Sequence, residues 1–264
     1  MIGGVLVDEF GGVRHPNDNS LPPVQKFDAL VPAAMAEKAE ELGRHKAEMD
    51  SVTVFMLAAL AGAFIAFGAV FATVVSTGGT SYGVTRLLSG VVFSLGLILV
   101  VVGGAELFTG NNLIVMAWAS GKVSTSKLVR NWAVVYVGNM VGSIIIVVLV
   151  FGSGQYLFAN GAVGEKMLSI ASSKASLGFG QAICLGILCN VLVCLAVWLA
   201  FSARSTTDRI LAVVPPVAAF VAAGFEHSVA NMYFLPIGLL VKSFAPAAFW
   251  ESISSSSGDW SSLR

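Results

Sequence analysis

Five long apolar regions dominate the chain and restrict the folds open to it. They are residues 52–76, 87–121, 132–160, 175–201 and 210–241. Each is longer than the roughly 20 residues that an α-helix needs to cross a bilayer. Only 11% of the residues are charged and the mean hydropathy is +0.83, whereas soluble domains carry about 25% charged residues. The sequence therefore predicts an all-α polytopic membrane protein.

The distribution of charge argues against nucleic acid as a partner and predicts the orientation of the chain in the membrane. The 15 basic residues balance 15 acidic ones, so the net charge is zero. No basic stripe of the kind that binds nucleic acid runs along any segment. Most of the basic residues fall in segments that share a side with the N-terminus. By the positive-inside rule this predicts a cytoplasmic N-terminus.

Two of the five regions are longer than one straight span. Residues 87–121 and 210–241 carry glycines and polar side chains near their middles, at residues 103–112 and 224–231. Irregular backbone at membrane depth is tolerated only where it is buried in protein or lines a cavity. A broken helix in each half of a transporter indicates an inverted repeat, with the substrate path between the breaks. The repeat predicts six spans. Five are visible, and we expect the sixth to be absent from this chain because residues 242–264 are polar.

His227 is the one histidine inside an apolar region. An ionisable side chain within a span is costly to bury and indicates a functional site. The alternative is a histidine that neighbouring hydroxyls satisfy and that stabilises the helix break. Glu226 beside it is predicted to brace the loop by accepting backbone N–H bonds, with Glu106 doing the same in the other break.

No metal site, cofactor or enzymatic chemistry is predicted. Cys184, Cys189 and Cys194 are five residues apart, so they fan around a helix rather than converge on one ion. They are interpreted as small, buried apolar side chains. A membrane enzyme or receptor that uses Glu106, Glu226 and His227 is disfavoured, because no nucleophile or metal-ligand set accompanies them.

Several motifs within the spans carry a resemblance to a known family. They are FSLGL at residues 93–97, GAELFTG at 104–110, NW at 131–132, VGN at 137–139, CN at 189–190, VCLAVW at 193–198 and GFEHSVANM at 224–232. Together they resemble the formate/nitrite transporter family, with the formate-channel branch most similar. The likeness extends in order from about residue 27 to residue 249.

This resemblance implies an aquaporin-like six-helix protomer, a homopentamer with one pore per protomer, and a place in the bacterial inner membrane. It makes His227 a central histidine between two apolar constrictions. Phe93 and Phe220 match the outer constriction, and Leu97 and Leu107 match the cytoplasmic one. The remaining residues matched to the substrate pathway are Thr109, Asn190 and Asn231 near the histidine and Lys174 on the outer approach.

The chain then divides into four segments. Residues 1–24 are predicted to be a flexible tail, and residues 25–50 an amphipathic cytoplasmic helix at the membrane surface, which in the family is implicated in pH gating. An ordinary solvated helix leading into the first span is an equal alternative. Residues 51–243 form the transmembrane channel domain, and residues 244–264 a polar C-terminal segment. Gly138 and Gly142, four residues apart, permit close contact between helices.

The predicted function is pH-dependent movement of formate or a similar small monovalent anion, as a passive channel or a proton-coupled carrier. A carboxylate that enters an apolar ring must lose its water, which is very costly without a partner. The pore can supply donors, namely backbone N–H groups at half-helix N-termini, Thr109 and Asn190. Alternatively, the anion crosses as the neutral acid after exchanging a proton with His227. The other readings are a nitrite or hydrosulfide channel, a water or glycerol channel, and a structural assembly subunit.

Overall fold

The computed structural model describes residues 6–7, 13–14 and 29–257 of the chain, with side chains in the last part to residue 253. Two short strands, β1 (Leu6–Val7) and β2 (Val13–Arg14), pair antiparallel. Most of the predicted tail at residues 1–24 lies outside the described residues, as do residues 25–28 and 258–264. Everything else of regular structure in the described part is helical.

The helices follow one another with short connections. They are α1 (Pro32–Glu48), α2 (Ser51–Ser76), α3 (Tyr82–Gly103), α4 (Phe108–Asn111), α5 (Ile114–Ala119), α6 (Thr125–Gly152), α7 (Ala162–Ala175), α8 (Phe179–Ser202), α9 (Thr206–Ala223), α10 (Ser228–Phe244) and α11 (Ala247–Ser257). A short 3-10 helix, Gln155–Leu157, lies between α6 and α7.

The five apolar regions and both helix breaks are present. Within the described residues, α2, α3, α6, α8 and α9 are long and apolar enough to cross a membrane. The region 87–121 is divided into α3, α4 and α5, and the region 210–241 into α9 and α10. Helices α10 and α11 qualify as a sixth candidate only when taken together, and they meet at an angle of 108°. The polytopic helical architecture predicted from the sequence is confirmed.

Glycines allow close contact between helices α2 and α6. A β-carbon on Gly142 of α6 would collide with the backbone carbonyl of Ala59 in α2, and one on Gly62 would collide with the backbone of Asn139. Gly138 lies against Ala58 in the same seam. Glycine is needed at these positions because the two backbones touch. The close contact that Gly138 and Gly142 permit is therefore made between α6 and α2 of one chain.

The order of elements in the first half returns in the second. Helices α1, α2 and α3 lead to a break and then to α4, and helices α7, α8 and α9 lead to a break and then to α10. Helices α3 and α9 pack against each other, and at Gly90 the backbone of Ala218 leaves no room for a β-carbon. This repeated order puts one break in each half of the chain.

Helix α7 was missed because it lacks the long apolar run of a span, so its residues were assigned to a connection. Helix α1 is shorter than the predicted segment. Its buried residues Met35, Ala39, Gly43 and Ala47 recur every four positions and pack on α5, α6 and α8. Helix α1 is thus held against the helical bundle by its buried residues, and its place at the membrane surface stays a prediction.

The C-terminal segment also differs from its prediction as a purely polar stretch. In α11, Phe249 and Ile253 are fully buried, and the Phe249 ring meets that of Tyr156 edge-on at 5.6 Å between centroids. The polar serines masked this short apolar stripe in the sequence.

The cysteines are not uniformly buried either. Cys189 is buried, Cys194 is partly buried and Cys184 is exposed on α8. This outcome follows from the five-residue spacing, which turns each thiol to a different side of the helix.

Candidate functional site

The two helix breaks have the same backbone conformation. Gly104 directly follows helix α3, and Gly224 directly follows helix α9. Their φ angles are +74° and +78°, in the left-handed region that suits glycine. Three residues after each glycine, a residue with an extended backbone caps the start of the next helix. That residue is Leu107 in the first break and His227 in the second. The repeat therefore places a leucine and the histidine at equivalent positions.

His227 is held at the start of α10 by its own side chain. The ring is 4% exposed, and its Nδ1 accepts a hydrogen bond from the backbone N–H of Ala230 at 3.1 Å. An imidazole nitrogen that accepts carries no proton, so in the neutral ring the proton is on Nε2. Nε2 lies 3.3 Å from Oγ1 of Thr109 on α4. The network thus orients the histidine N–H toward the threonine that the sequence placed beside it.

Two phenylalanine rings enclose His227 on one side. Phe93 of α3 and Phe220 of α9 meet edge-on with centroids 5.9 Å apart. Their centroids lie 6.3 Å and 5.7 Å from that of the His227 ring. Both phenylalanines are buried. The residues matched to the outer constriction therefore form one aromatic group with the histidine.

One cavity is lined by this group, and a second lies near it. The Lys174-side cavity, about 580 Å³, is lined by Phe93, Phe220 and His227 as well as Lys174. The α1-side cavity, about 390 Å³, is lined by Leu97, Leu107 and residues of α1. The two cavities share no lining residue. Phe93 and Leu97 are one helical turn apart on α3, about 6 Å, so only a thin apolar layer separates the cavities.

A charged cluster stabilises the break beside each cavity. Glu226 accepts from Nζ of Lys174 at 2.7 Å and from the amide of Asn231 at 2.8 Å. Lys174 also lies over the Phe234 ring, 5.3 Å from its centroid. Lysine on α7 thereby reaches the break in the second half of the chain.

The first half repeats this arrangement residue for residue. Glu106 accepts from Nζ of Lys46 at 2.7 Å and from the amide of Asn111 at 2.7 Å. The same amide also donates to Asn131, whose own amide donates to the Lys46 carbonyl. Lysine on α1 plays the part that lysine on α7 plays in the other half.

The prediction that the two glutamates accept hydrogen bonds from backbone N–H groups is wrong. Their carboxylates accept from lysine and asparagine side chains, not from loop N–H groups. The backbone N–H groups of Glu106 and Glu226 instead donate to the carbonyls of Leu57 and Leu185. A carboxylate at membrane depth needs a cation more than it needs an amide, because an unpaired buried charge is the more costly.

Asn139 is a further positioning residue that the sequence analysis did not single out. It is fully buried on α6, accepts from the N–H of Phe108 and donates to the carbonyls of Ala58 and Glu106, all at 2.8–2.9 Å. It lies within the VGN motif, which was the available signal. Its three bonds satisfy the backbone around the first break.

Asn190 does not reach either cavity. It lies on α8 in a groove with Leu113 and Trp198, and its amide donates to Sγ of Cys194 at 3.6 Å. The Cys194 thiol in turn lies 3.6 Å from the carbonyl of Thr109. The structure thus connects Asn190 to the site only through Cys194 and the threonine backbone.

Ion pairs link α1 to the segment from Lys122 to Lys127. Lys127 bonds to Glu48 at 3.1 Å and lowers the pKa of that carboxyl. Glu40 bonds to Lys122 at 2.6 Å and raises the pKa of that amine. Since the folded pKa of Glu48 is depressed, its contribution is present at neutral pH and is lost as the pH falls through that folded value.

The Lys174–Glu226 pair leads to a stability prediction. The side chains are only 16% and 13% exposed, so Glu226→Gln leaves an uncompensated lysine in a largely dry site. We expect a loss of about 1–3 kcal/mol, less than the roughly 3–5 kcal/mol of a fully buried pair. Thermal unfolding in detergent measures the loss. The double variant Lys174→Met/Glu226→Gln should recover part of it, and strictly additive losses would contradict the pairing.

Comparisons with known proteins agree with this arrangement. Residues 33–259 match the family model described as "Formate/nitrite transporter". The chain is 48% identical over 239 residues to the formate channel FocA of Escherichia coli strain K12, covering 90% of this chain and 84% of that one. It is 41% identical over 227 residues to the formate channel FocA of Haemophilus influenzae, covering 85% and 80%.

Solved structures give the same result. A structure described as "Pentameric formate channel with formate bound" matches with a TM-score of 0.74 and 50% identity, covering 77% of this chain and 81% of that one. A structure described as "FNT family ion channel" matches with a TM-score of 0.73 and 27% identity, covering 82% and 86%. The resemblance first indicated by the motifs within the spans is confirmed, and this chain belongs to the formate/nitrite transporter family.

Proposed function

We propose that this chain forms a pore for formate and related small monovalent anions in a bacterial membrane, as a homopentamer with one pore in each protomer. The observation that carries the proposal is His227, buried at the start of a half-helix against the Phe93–Phe220 pair. The relatives named formate channels and the pentameric structure with formate bound support the same substrate and assembly. The excess of basic residues on the N-terminal side supports a cytoplasmic N-terminus.

The hydrogen bonds of His227 favour donation of a hydrogen bond over transfer of a proton. The neutral ring has one N–H, on Nε2, and giving up that proton would leave an unstable imidazolate anion. A second proton would have to occupy Nδ1, which would displace the bond from Ala230. The neutral histidine therefore donates to Thr109 Oγ1, and the threonine hydroxyl is left to donate to the anion. Protonation of the ring at lower pH competes with the bond to Ala230 and couples the pore to pH.

The start of α10 adds a second source of stabilisation. An α-helix carries a partial positive charge at its N-terminus, which favours an anion nearby. Helix α10 begins at Ser228 and has 17 residues, enough for a developed dipole. A dehydrated carboxylate beside His227 would thus face the Thr109 hydroxyl and a helix N-terminus, and no carboxylate other than the paired Glu226 lines that cavity.

The test is transport by the purified chain in liposomes. We expect formate to enter faster than through protein-free membranes, with nitrite, lactate and hydrosulfide competing at two pH values. Osmotic water permeability measured in the same liposomes distinguishes a neutral-solute channel. Rapid water flow without formate flux would overturn the proposal, and a folded pentamer without any flux would favour a structural subunit.

A further inference from the structure

The Lys174-side cavity has more cations than its paired lysine accounts for. Its charged lining residues are Arg86, Lys166, Lys174 and Glu226. Lys174 and Glu226 form an ion pair of 2.7 Å, so together they contribute no net charge. Arg86 and Lys166 have no ion-pair partner within residues 29–253, where side chains are described. The net positive charge of this cavity therefore comes from these two residues.

Arg86 extends from α3 over the end of α9. Its Nε lies 3.5 Å from the carbonyl of Ala222, and one terminal nitrogen lies 3.0 Å from the position that a β-carbon on Gly224 would occupy. A guanidinium has five N–H donors in a planar fork that matches a carboxylate. The contact with Ala222 uses one of them. The others are available at the cavity lining, next to the break that holds His227.

Lys166 belongs to a polar stripe on α7. Residues 166, 169, 170, 173 and 174 all line the cavity, and this spacing is that of one helix face. Lys166 is two turns from Lys174, about 12 Å along the helix axis. The stripe includes Ser169 and Ser173, whose hydroxyls add donors between the two lysines. Helix α7 thus presents a row of cations and hydroxyls to the cavity.

The α1-side cavity is electrostatically different. Its ionisable lining residues are His45, Lys46 and Glu106, and Lys46 is paired with Glu106 at 2.7 Å. With His45 neutral this cavity has no net charge. On the Lys174 side, the paired Glu226 is the one acidic residue of the cavity lining. Of the two cavities, the one on the Lys174 side therefore has the net positive charge.

We propose that Arg86 and Lys166 form an anion-capture site in the Lys174-side cavity, and that this site, not the paired Lys174, gathers small monovalent carboxylates ahead of His227. The inference rests on the proposed function and assigns its entry step. Charges of one sign in a cleft with low-dielectric walls raise the local concentration of the opposite ion. Capture of this kind acts when the anion is dilute and weakens as salt screens the field.

The first test compares neutral variants with a matched control. Arg86→Gln and Lys166→Gln remove one charge each from the cavity, whereas Lys242→Gln removes one from the exposed last turn of α10, outside its lining. In formate uptake by proteoliposomes, we expect each cavity variant to reduce the initial rate at low formate by about threefold, and the double variant by about tenfold. Rates at saturating formate should be kept, and the salt dependence should flatten. Lys242→Gln should behave as the parent.

A second measurement removes folding as an explanation. Lys166→Cys is reconstituted and then treated from one side with a membrane-impermeant thiosulfonate that adds either an ammonium or a sulfonate group. The cationic reagent should restore low-formate flux and the anionic one should depress it below the untreated variant. The parent, with its three native cysteines, controls for reaction elsewhere.

The outcomes separate the two claims. If the parent carries formate but the cavity variants match Lys242→Gln and both reagents act alike, the capture site is refuted and the proposed function stands. If the parent carries no formate, the proposed function fails and this inference fails with it.

Discussion

His227→Ala is expected to lower formate flux by about tenfold or more and to abolish the pH dependence that protonation of the ring confers. The change removes the donor to Thr109 Oγ1, and with it the orientation that leaves the threonine hydroxyl to donate to the charged anion. A hydrogen bond to a charged group contributes about 1.5–3 kcal/mol, and about 1.4 kcal/mol corresponds to a tenfold change in rate. It also removes the only histidine within the described spans, whose protonation competes with the bond from Ala230. Stopped-flow uptake by proteoliposomes at several pH values measures both effects.

His227→Asn separates the chemistry from the fold. Alanine also removes the bond from the Ala230 N–H, and losing an N-cap costs about 1 kcal/mol. Asparagine is a strong N-cap residue, so it should keep the start of α10 intact, yet it cannot take up a proton. We expect His227→Asn to match the parent in thermal stability while losing the pH dependence. An alanine variant with the rate, pH dependence and anion selectivity of the parent would refute the role of His227.

Gly142→Ala is expected to prevent correct packing of α6 on α2. The added methyl group would collide with the backbone carbonyl of Ala59, and no side-chain rotation can relieve a clash with backbone. Overpacking typically costs about 1–3 kcal/mol and occasionally more, and a backbone clash belongs at the upper end. We expect a large fall in the yield of monodisperse protein and in the thermal midpoint, measured by size-exclusion chromatography and thermal unfolding in detergent.

Gly152→Ala, on the same helix, is the matched control. A β-carbon there meets nothing within 4 Å, and alanine has the higher helix propensity. We expect it to behave as the parent or to be slightly more stable. Equal behaviour of the two variants would show that the α2–α6 seam tolerates separation and would contradict the packing argument.

The spans and both breaks could be read from the sequence because they follow from local composition. Water is absent from the membrane core, so an apolar run of sufficient length must form a helix there. Glycine and polar residues in the middle of such a run mark the point where the helix is interrupted. Gly104 and Gly224 do end α3 and α9. Helix α7 escaped this reasoning because it lacks the apolar signal of a span.

The partners of the buried charges could not be derived this way. Lys46 reaches Glu106 across 60 positions and Lys174 reaches Glu226 across 52. The prediction from the sequence was that backbone N–H groups of the loop would satisfy both carboxylates. The choice between backbone and lysine depends on which distant helix lies beside the break, and only the packed fold determines that. Because Lys174 is paired with Glu226, the net positive charge of its cavity comes from Arg86 and Lys166.

The sequence by itself determined that this protein lies in a membrane, where its helices break, and that His227 is the unusual residue among them. These properties depend on the cost of exposing polar groups to lipid, which each segment incurs alone. Tertiary structure decided the rest, because packing in three dimensions sets which groups meet. It placed Leu107 and His227 at equivalent positions in the two halves. The two breaks therefore have the same backbone conformation, but one presents an apolar side chain and the other a polar one. It also determined which nitrogen of His227 faces Thr109, through the bond from Ala230.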